Sequence, residues 1–97
     1  MYLKELFTRT MASQISVKPD TIKMYATTWC GDCRMAQRWF DSHNVSYEYI
    51  NIEEDEEAAE FVLEVNGGMR SVPTIVFPDG SILIEPSPRE LAAKFAR

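Results

Sequence analysis

The order of strand-like and helix-like patterns limits what this chain of 97 residues can fold into more than any other feature. Segments rich in alternating apolar, β-branched or aromatic residues predict four strands, over 21–26, 46–52, 72–77 and 81–84. Helical spacing predicts three helices, over 33–42, from the acidic run 53–57 onwards and from Ser87-Pro88 onwards. The resulting order, β-α-β-α-β-β-α, is typical of one compact α/β domain.

We place the domain at residues 19–97. Residues 1–18 precede it as an N-terminal extension. Leu3, Leu6 and Phe7 have the spacing of a short amphipathic helix, but a tail without a packing role fits residues 1–18 equally well. Both interpretations stay open at this stage. The domain itself starts at Pro19-Asp20, a pair that marks a turn.

The only two cysteines lie in the segment Trp29-Cys30-Gly31-Asp32-Cys33, between a predicted strand end and a predicted helix. Free backbone N–H groups and the helix dipole at that position favour the thiolate of Cys30, the form that attacks disulfides. Cys33 follows nearly one helical turn later, so we expect it beneath Cys30, less exposed and able to attack a mixed disulfide formed there. The charges of Asp32 and Arg34 act on the thiolate in opposite directions. The pair is therefore a candidate redox centre.

Composition and charge indicate the class of protein and its surroundings. The net charge of −5 argues against a nucleic-acid partner, and no apolar run approaches the ~20 residues that a membrane span needs. The first 16 residues lack the uninterrupted apolar stretch of a signal peptide. We therefore expect the reducing cytoplasm, where a close cysteine pair is more often catalytic or metal-binding than structural. We also expect a monomer.

The spacing of the two cysteines also occurs in metal sites. A zinc site needs four ligands, and the only histidine, His43, is expected at the far end of the helix, so we expect no metal site within one chain. An iron–sulfur cluster that bridges two chains, with external thiols as further ligands, stays open as an alternative and would make the protein a cluster carrier. The sequence contains no phosphate-binding loop, and we expect no bound cofactor.

With a strand, Trp-Cys-x-x-Cys, a helix and then Val72-Pro73 before another strand, residues 21–95 resemble the glutaredoxin branch of the thioredoxin-fold proteins. The resemblance implies a thioredoxin/glutaredoxin fold, an α/β structure with a central four-stranded mixed sheet flanked by helices. It also implies a cis peptide bond before Pro73 and a backbone at Val72 that meets a bound thiol. Apolar Met24 stands where thioredoxins carry a buried Asp, which favours the glutaredoxin branch.

Three further side chains are candidates for substrate binding. Trp29 precedes Cys30, and an exposed ring there would border the partner groove, whereas the alternative is a tryptophan of the core. Arg70 matches a basic position that in glutaredoxins can meet the carboxylate of the thiol, but a solvated surface arginine fits as well. Ser87 offers a hydroxyl and free N–H groups at a helix start to a ligand, or it simply caps the helix.

The combination Val72-Pro73-Thr74, Phe77-x-Asp79-Gly80-Ser81 and Pro86-Ser87 resembles the mycoredoxins, which reduce mixed disulfides between proteins and mycothiol. The resemblance implies a thiol-disulfide oxidoreductase in which Cys30 attacks the substrate disulfide and Cys33 resolves it. Its partners would be oxidised or thiolated proteins, mycothiol or glutathione as co-substrate, and a thioredoxin or thiol-disulfide reductase. The alternative is a redoxin that donates electrons to ribonucleotide reductase, although the Trp-Ser-Gly-Phe-Arg-Pro end of those redoxins is absent.

Overall fold

The computed structural model describes residues 21–96. Within this range, four strands and three helices follow one another in the predicted order: β1 (Ile22–Ala26), α1 (Gly31–Ser42), β2 (Tyr47–Asn51), α2 (Glu56–Val65), β3 (Thr74–Val76), β4 (Ile82–Ile84) and α3 (Pro88–Phe95). None of these helices is both long enough and apolar enough to cross a membrane. The prediction of an extension over residues 1–18 lies outside the described residues.

The four strands form one mixed sheet in the order β2-β1-β3-β4. β1 pairs with β2 in parallel, whereas β3 is antiparallel to both β1 and β4. β1, β2 and β4 therefore run in one direction and β3 in the other. The segments after β1, after β2, before β3 and after β4 consequently all lie at the same end of the sheet, and the candidate site is built at this end.

Helices cover both faces of the sheet. On one face, α1 and α3 pack against β1 and β3 around a cluster whose members without any exposed surface include Met24, Cys33, Phe40, Ile75 and Leu91. On the other face, α2 places Ala58 and Val62 next to Ile52. Because the apolar residues of each helix recur on one side, each helix buries that side and leaves its polar side in water.

α1 begins two residues before its predicted start because Cys30 itself is the N-cap. Cys30 has an extended backbone (φ −86°, ψ 120°), and its sulfur accepts a hydrogen bond from the backbone N–H of Cys33 at 3.1 Å. Sulfur thus takes the place that a hydroxyl or carboxylate oxygen usually takes at the start of a helix. The helix ends at Ser42, and His43 is its C-cap.

The starts of α2 and α3 are set by side-chain caps. Asp55 caps α2, so Glu53-Glu54 lie in the turn before this helix and not at its start, where the prediction placed them. Ser87 and Glu90 form the predicted capping box at α3. The ring of Phe95, for which the helical spacing predicts an inward position, packs against three other aromatic rings, and it stays 39% exposed because it lies in the last turn of α3, at the edge of the core.

Candidate active site

The two cysteines lie where β1 ends and α1 begins, as predicted, and they have different surroundings. Both are free thiols; Cys30 is partly exposed, whereas Cys33 has no exposed surface. Cys33 packs in the core cluster with Met24 and Ala36, and Cys30 packs against the edge of that cluster. Only Cys30 can therefore be reached directly by a substrate from solvent.

The surroundings of Cys33 keep its thiol protonated. Burial is the main cause of a raised pKa, which is about 12 against an ordinary value of 9.0. The hydrogen bond with the Cys30 side chain and the negative charges of Cys30 and Asp32 act in the same direction, whereas a backbone hydrogen bond from Thr27 lowers the pKa. Cys33 must therefore lose a proton before it can act as a nucleophile.

The loop before β3 brings Val72 and Pro73 to Cys30. The Cys30 thiol donates a long hydrogen bond to the carbonyl oxygen of Val72, with 3.7 Å between sulfur and oxygen. The Val72–Pro73 peptide bond is cis, as the resemblance implies, and Pro73 is buried. On the far side of this bond, the carbonyl of Pro73 accepts a hydrogen bond from the N–H of Glu85 at 2.8 Å. The predicted pair thus lies against the cysteine that is open to solvent.

Trp29 is 67% exposed, which excludes a position in the core. Its indole Nε1–H donates a hydrogen bond of 2.8 Å to Oε2 of Glu53. Glu53 follows β2, and the parallel pairing of β1 and β2 brings the ends of both strands together. The bond therefore joins the loop that carries Cys30 to the loop after β2. The sequence pattern does not indicate Glu53 as a site residue, because 24 positions separate it from Trp29 and only the sheet order makes them neighbours.

Tyr49 is a second residue near the cysteines that the sequence did not single out. Its partner in the parallel register is Met24, so its side chain lies on the face of the sheet that also holds Cys33. Its pKa is raised above the ordinary value, mainly by burial. Its hydroxyl therefore stays protonated at neutral pH, and it is a neutral hydrogen-bonding group beside the cysteine pair.

The remaining candidates, Arg70 and Ser87, lie at the same end of the sheet and form no hydrogen bond with either cysteine. Arg70 is exposed in the loop that leads to Val72. Ser87 follows β4, and its hydroxyl accepts the N–H of Glu90 at 3.1 Å, so it acts as a helix cap. The guanidinium of Arg34 donates to the carbonyl of Thr28 at 3.0 Å, which fastens α1 to the loop before Trp29. Binding roles for Arg70 and Ser87 stay predictions.

No group of three or more His, Cys, Asp or Glu side chains between residues 21 and 96 is arranged to hold a metal ion. Cys30 and Cys33 supply two sulfur ligands, half the number that a zinc or iron–sulfur site requires. A cluster at this position would need further ligands from a second chain or from external thiols.

Several known proteins are similar to this chain in sequence or in structure. Residues 22–82 match the family model of the glutaredoxins. A Mycobacterium tuberculosis protein named as a glutaredoxin is 42% identical over 76 residues, which cover 78% of this chain and 90% of that protein. Mycoredoxin 1 of Corynebacterium glutamicum is 40% identical over 73 residues, which cover 75% of this chain and 90% of its own length. A crystal structure of a thioredoxin-like protein is 25% identical, covers 74% of this chain and 96% of its own, and has a TM-score of 0.65.

The matched region contains the site described above except for Glu85, Ser87 and Glu90, which follow it. It includes the two free cysteines at the β1–α1 junction, which fit a Cys-x-x-Cys motif, and the Val72–Pro73 pair. The mixed sheet with helices on both faces is the thioredoxin-like fold. On this evidence the chain belongs to the glutaredoxin family of thiol-disulfide oxidoreductases.

Proposed function

We propose that this protein reduces mixed disulfides between proteins and a low-molecular-weight thiol, mycothiol or glutathione, through Cys30 and Cys33. The observation that carries the proposal is the asymmetry of the pair: Cys30 is open to solvent at a helix N-terminus, and Cys33 is completely buried beneath it. The similarity to mycoredoxin 1 supports a mixed disulfide as substrate. The reaction suits a reducing cytoplasm, where small thiols are abundant.

In the first step, the thiolate of Cys30 attacks the sulfur of the small thiol in the mixed disulfide. The old S–S bond breaks, and the protein substrate leaves as a thiolate that takes up a proton. Cys30 now carries the small thiol in a new disulfide. The backbone N–H of Cys33, 3.1 Å from the Cys30 sulfur, stabilises the negative charge on that sulfur before the attack.

The second step has two routes. In the first, another small thiolate attacks the small-thiol sulfur of this adduct, leaves with it as a disulfide, and restores the Cys30 thiolate. In the second, Cys33 loses its proton and attacks Cys30; the small thiol leaves as a thiolate, and a Cys30–Cys33 disulfide forms. That disulfide then requires two electrons from small thiols or from a thioredoxin or flavin-containing reductase. Burial of Cys33, the main cause of its raised pKa, makes its deprotonation the difficult part of the second route.

Groups around Cys30 would bind the small thiol. The backbone of Val72 faces the cysteine, and the exposed ring of Trp29 borders the same opening. Arg70 would meet a carboxylate of the thiol, and Ser87 would meet a hydroxyl or carboxylate at the start of α3. Glutathione has carboxylates for both residues, whereas mycothiol offers hydroxyl groups.

The two cysteine substitutions test the division of roles. We expect Cys30→Ser to abolish reduction of a peptide–thiol mixed disulfide, because no other thiol between residues 21 and 96 is exposed. Cys33→Ser should retain turnover by the route that needs one cysteine. The measurement is release of the free peptide thiol under reducing turnover. Equal activity of Cys30→Ser and the wild type would disprove the assignment.

The source of electrons and the alternative functions need separate assays. Recycling of the oxidised protein by glutathione, mycothiol, bacillithiol or thioredoxin reductase, compared side by side, identifies the reductant. Recycling by thioredoxin reductase alone would favour the redoxin that serves ribonucleotide reductase. Anaerobic reconstitution with iron and sulfide tests the cluster carrier, because a bound cluster absorbs visible light and a dithiol does not.

A further inference from the structure

The loop between α2 and β3 carries Val72 to the site although it has no regular secondary structure. Two side chains at its ends hold it in place. Asn66, the C-cap of α2, donates one amide hydrogen to the carbonyl of Val62 at 2.8 Å and the other to the hydroxyl oxygen of Thr74 at 3.1 Å. The hydroxyl of Thr74 in turn donates to the carbonyl of Ser71 at 2.7 Å. We call this chain, from Asn66 through Thr74 to Ser71, the Asn66–Thr74 relay.

Each hydrogen of the Asn66–Thr74 relay has its own acceptor, so the direction of the bonds is fixed. Asn66 has two amide hydrogens and the Thr74 hydroxyl has one, and all three are used. Thr74 has no exposed surface, so water has no direct access to its hydroxyl. Fully satisfied buried networks make the groups they join rigid. The carbonyl of Ser71 is therefore held firmly to the start of β3.

The Ser71 carbonyl and the Val72 N–H belong to the same peptide group, and a trans peptide group is planar with these two bonds pointing in opposite directions. Because Thr74 holds the carbonyl, the Val72 N–H is turned away from Thr74. This N–H has no hydrogen-bond acceptor among residues 21–96. On its other side, Val72 places its own carbonyl 3.7 Å from the Cys30 sulfur. A fixed, unused donor thus lies in the residue that contacts the exposed cysteine.

We infer that Asn66 and Thr74 are positioning residues for the proposed reaction: the Asn66–Thr74 relay fixes the orientation of the Val72 N–H, so that the backbone which the resemblance assigns to a bound thiol is aligned with a backbone or amide carbonyl next to the disulfide at Cys30. The inference rests on the proposed function. Neither side chain touches the substrate; both act through Ser71 and Val72. A contact of this kind exists before and during the attack on the disulfide, so it strengthens binding of the substrate and leaves the chemical step unchanged.

The test is Thr74→Val, which keeps the shape of the side chain and removes the hydroxyl. For the mixed disulfide that the wild type turns over, we expect KM to rise about tenfold, the equivalent of about 1.4 kcal/mol, while kcat changes by less than about twofold. Thr74→Ser restores the hydroxyl and should restore KM. Asp79→Ala is the matched control, because it breaks hydrogen bonds to Ser81 and Lys94 at the opposite end of β3 and should leave KM unchanged.

A second readout does not depend on turnover. The NMR order parameter of the Val72 N–H should fall from a rigid value of about 0.85 to below about 0.6 in Thr74→Val, and the amides of β1 should stay rigid. An unchanged order parameter, an unchanged KM, or an equal rise of KM in Asp79→Ala would overturn the inference. If the wild type turns over neither glutathione nor mycothiol mixed disulfides, the proposed function is wrong. The relay is then tested by the order parameter of the Val72 N–H, which should still fall in Thr74→Val.

Discussion

Two buried threonines lie at the end of the sheet that carries the cysteines, one with hydrogen-bond partners for its hydroxyl and one without. Substitution by valine should therefore have opposite effects on stability at the two positions. Thr27 and Thr74 are 4% and 0% exposed. The hydroxyl of Thr74 accepts one hydrogen bond and donates another. The hydroxyl of Thr27 is buried without a hydrogen-bond partner among residues 21–96. Because valine has nearly the shape of threonine and no hydroxyl, we expect Thr74→Val to destabilise the protein and Thr27→Val to stabilise it.

The magnitudes follow from counting polar groups. Thr74→Val leaves an amide hydrogen of Asn66 and the carbonyl of Ser71 without partners, at ~1–3 kcal/mol for a fully buried group. Both groups belong to half-buried residues, so water recovers part of the loss, and we expect about 2 kcal/mol in total. On folding, the Thr27 hydroxyl loses its hydrogen bonds to water and forms none with residues 21–96. Its removal should recover about 1 kcal/mol.

Urea unfolding followed by circular dichroism measures both changes. For a domain of this size, 1 kcal/mol corresponds to a shift of about 4–8 °C in Tm, so the two variants should separate clearly in thermal unfolding as well. Thr28→Val is the control, because Thr28 is exposed and its substitution should change the free energy of unfolding by less than about 0.5 kcal/mol. If Thr27→Val lowers the free energy of unfolding by about 1 kcal/mol or more, the account of Thr27 as an unsatisfied group is wrong.

Three further predictions concern titration and capping. The pKa of Cys33 is raised from 9.0 to about 12, so its protonated thiol favours the folded state below pH 9; stability should fall as pH rises towards 12, and Cys33→Ala should flatten this fall in urea midpoints. Hydrogen bonds from Lys94 and Ser81 lower the pKa of Asp79 below 3.8, so its contribution is present above that pH and lost on acidification; Asp79→Asn should remove this part of the acid dependence. Asp55→Ala removes the cap of α2 and should cost about 1 kcal/mol in urea unfolding, whereas Asp55→Asn should cost less.

Features that depend on neighbours in sequence were predictable from the sequence. The capping box of Ser87 and Glu90 and the position of the cysteines between a strand and a helix follow from local geometry, and the structure has both. The order of elements followed from apolar spacing in the same way. β3 is shorter than the predicted 72–77, since Pro73 has no N–H to donate to a neighbouring strand.

Contacts that depend on the sheet order could not be predicted in this way. Glu53 has the sequence signature of a solvated helix start, and only the parallel pairing of β1 and β2 brings it to Trp29. Asn66 and Thr74 look like an ordinary helix end and an ordinary strand residue, and their shared role depends on the path of the loop between them. The spacing of apolar residues in a sequence predicts which side chains are buried, but it does not predict which polar groups they contact.

The hydrogen bond between Trp29 and Glu53 has a consequence for how tightly any partner can be held at this surface. Trp29 exposes 67% of its surface, most of it apolar, and burying the ring under a partner contributes about 2–3 kcal/mol before the costs of association are subtracted. The ring is already held in one orientation by Glu53, so little side-chain entropy is lost when the partner arrives. Burial of the Trp29 ring therefore adds to the free energy of association only while a partner covers this ring and the neighbouring Cys30.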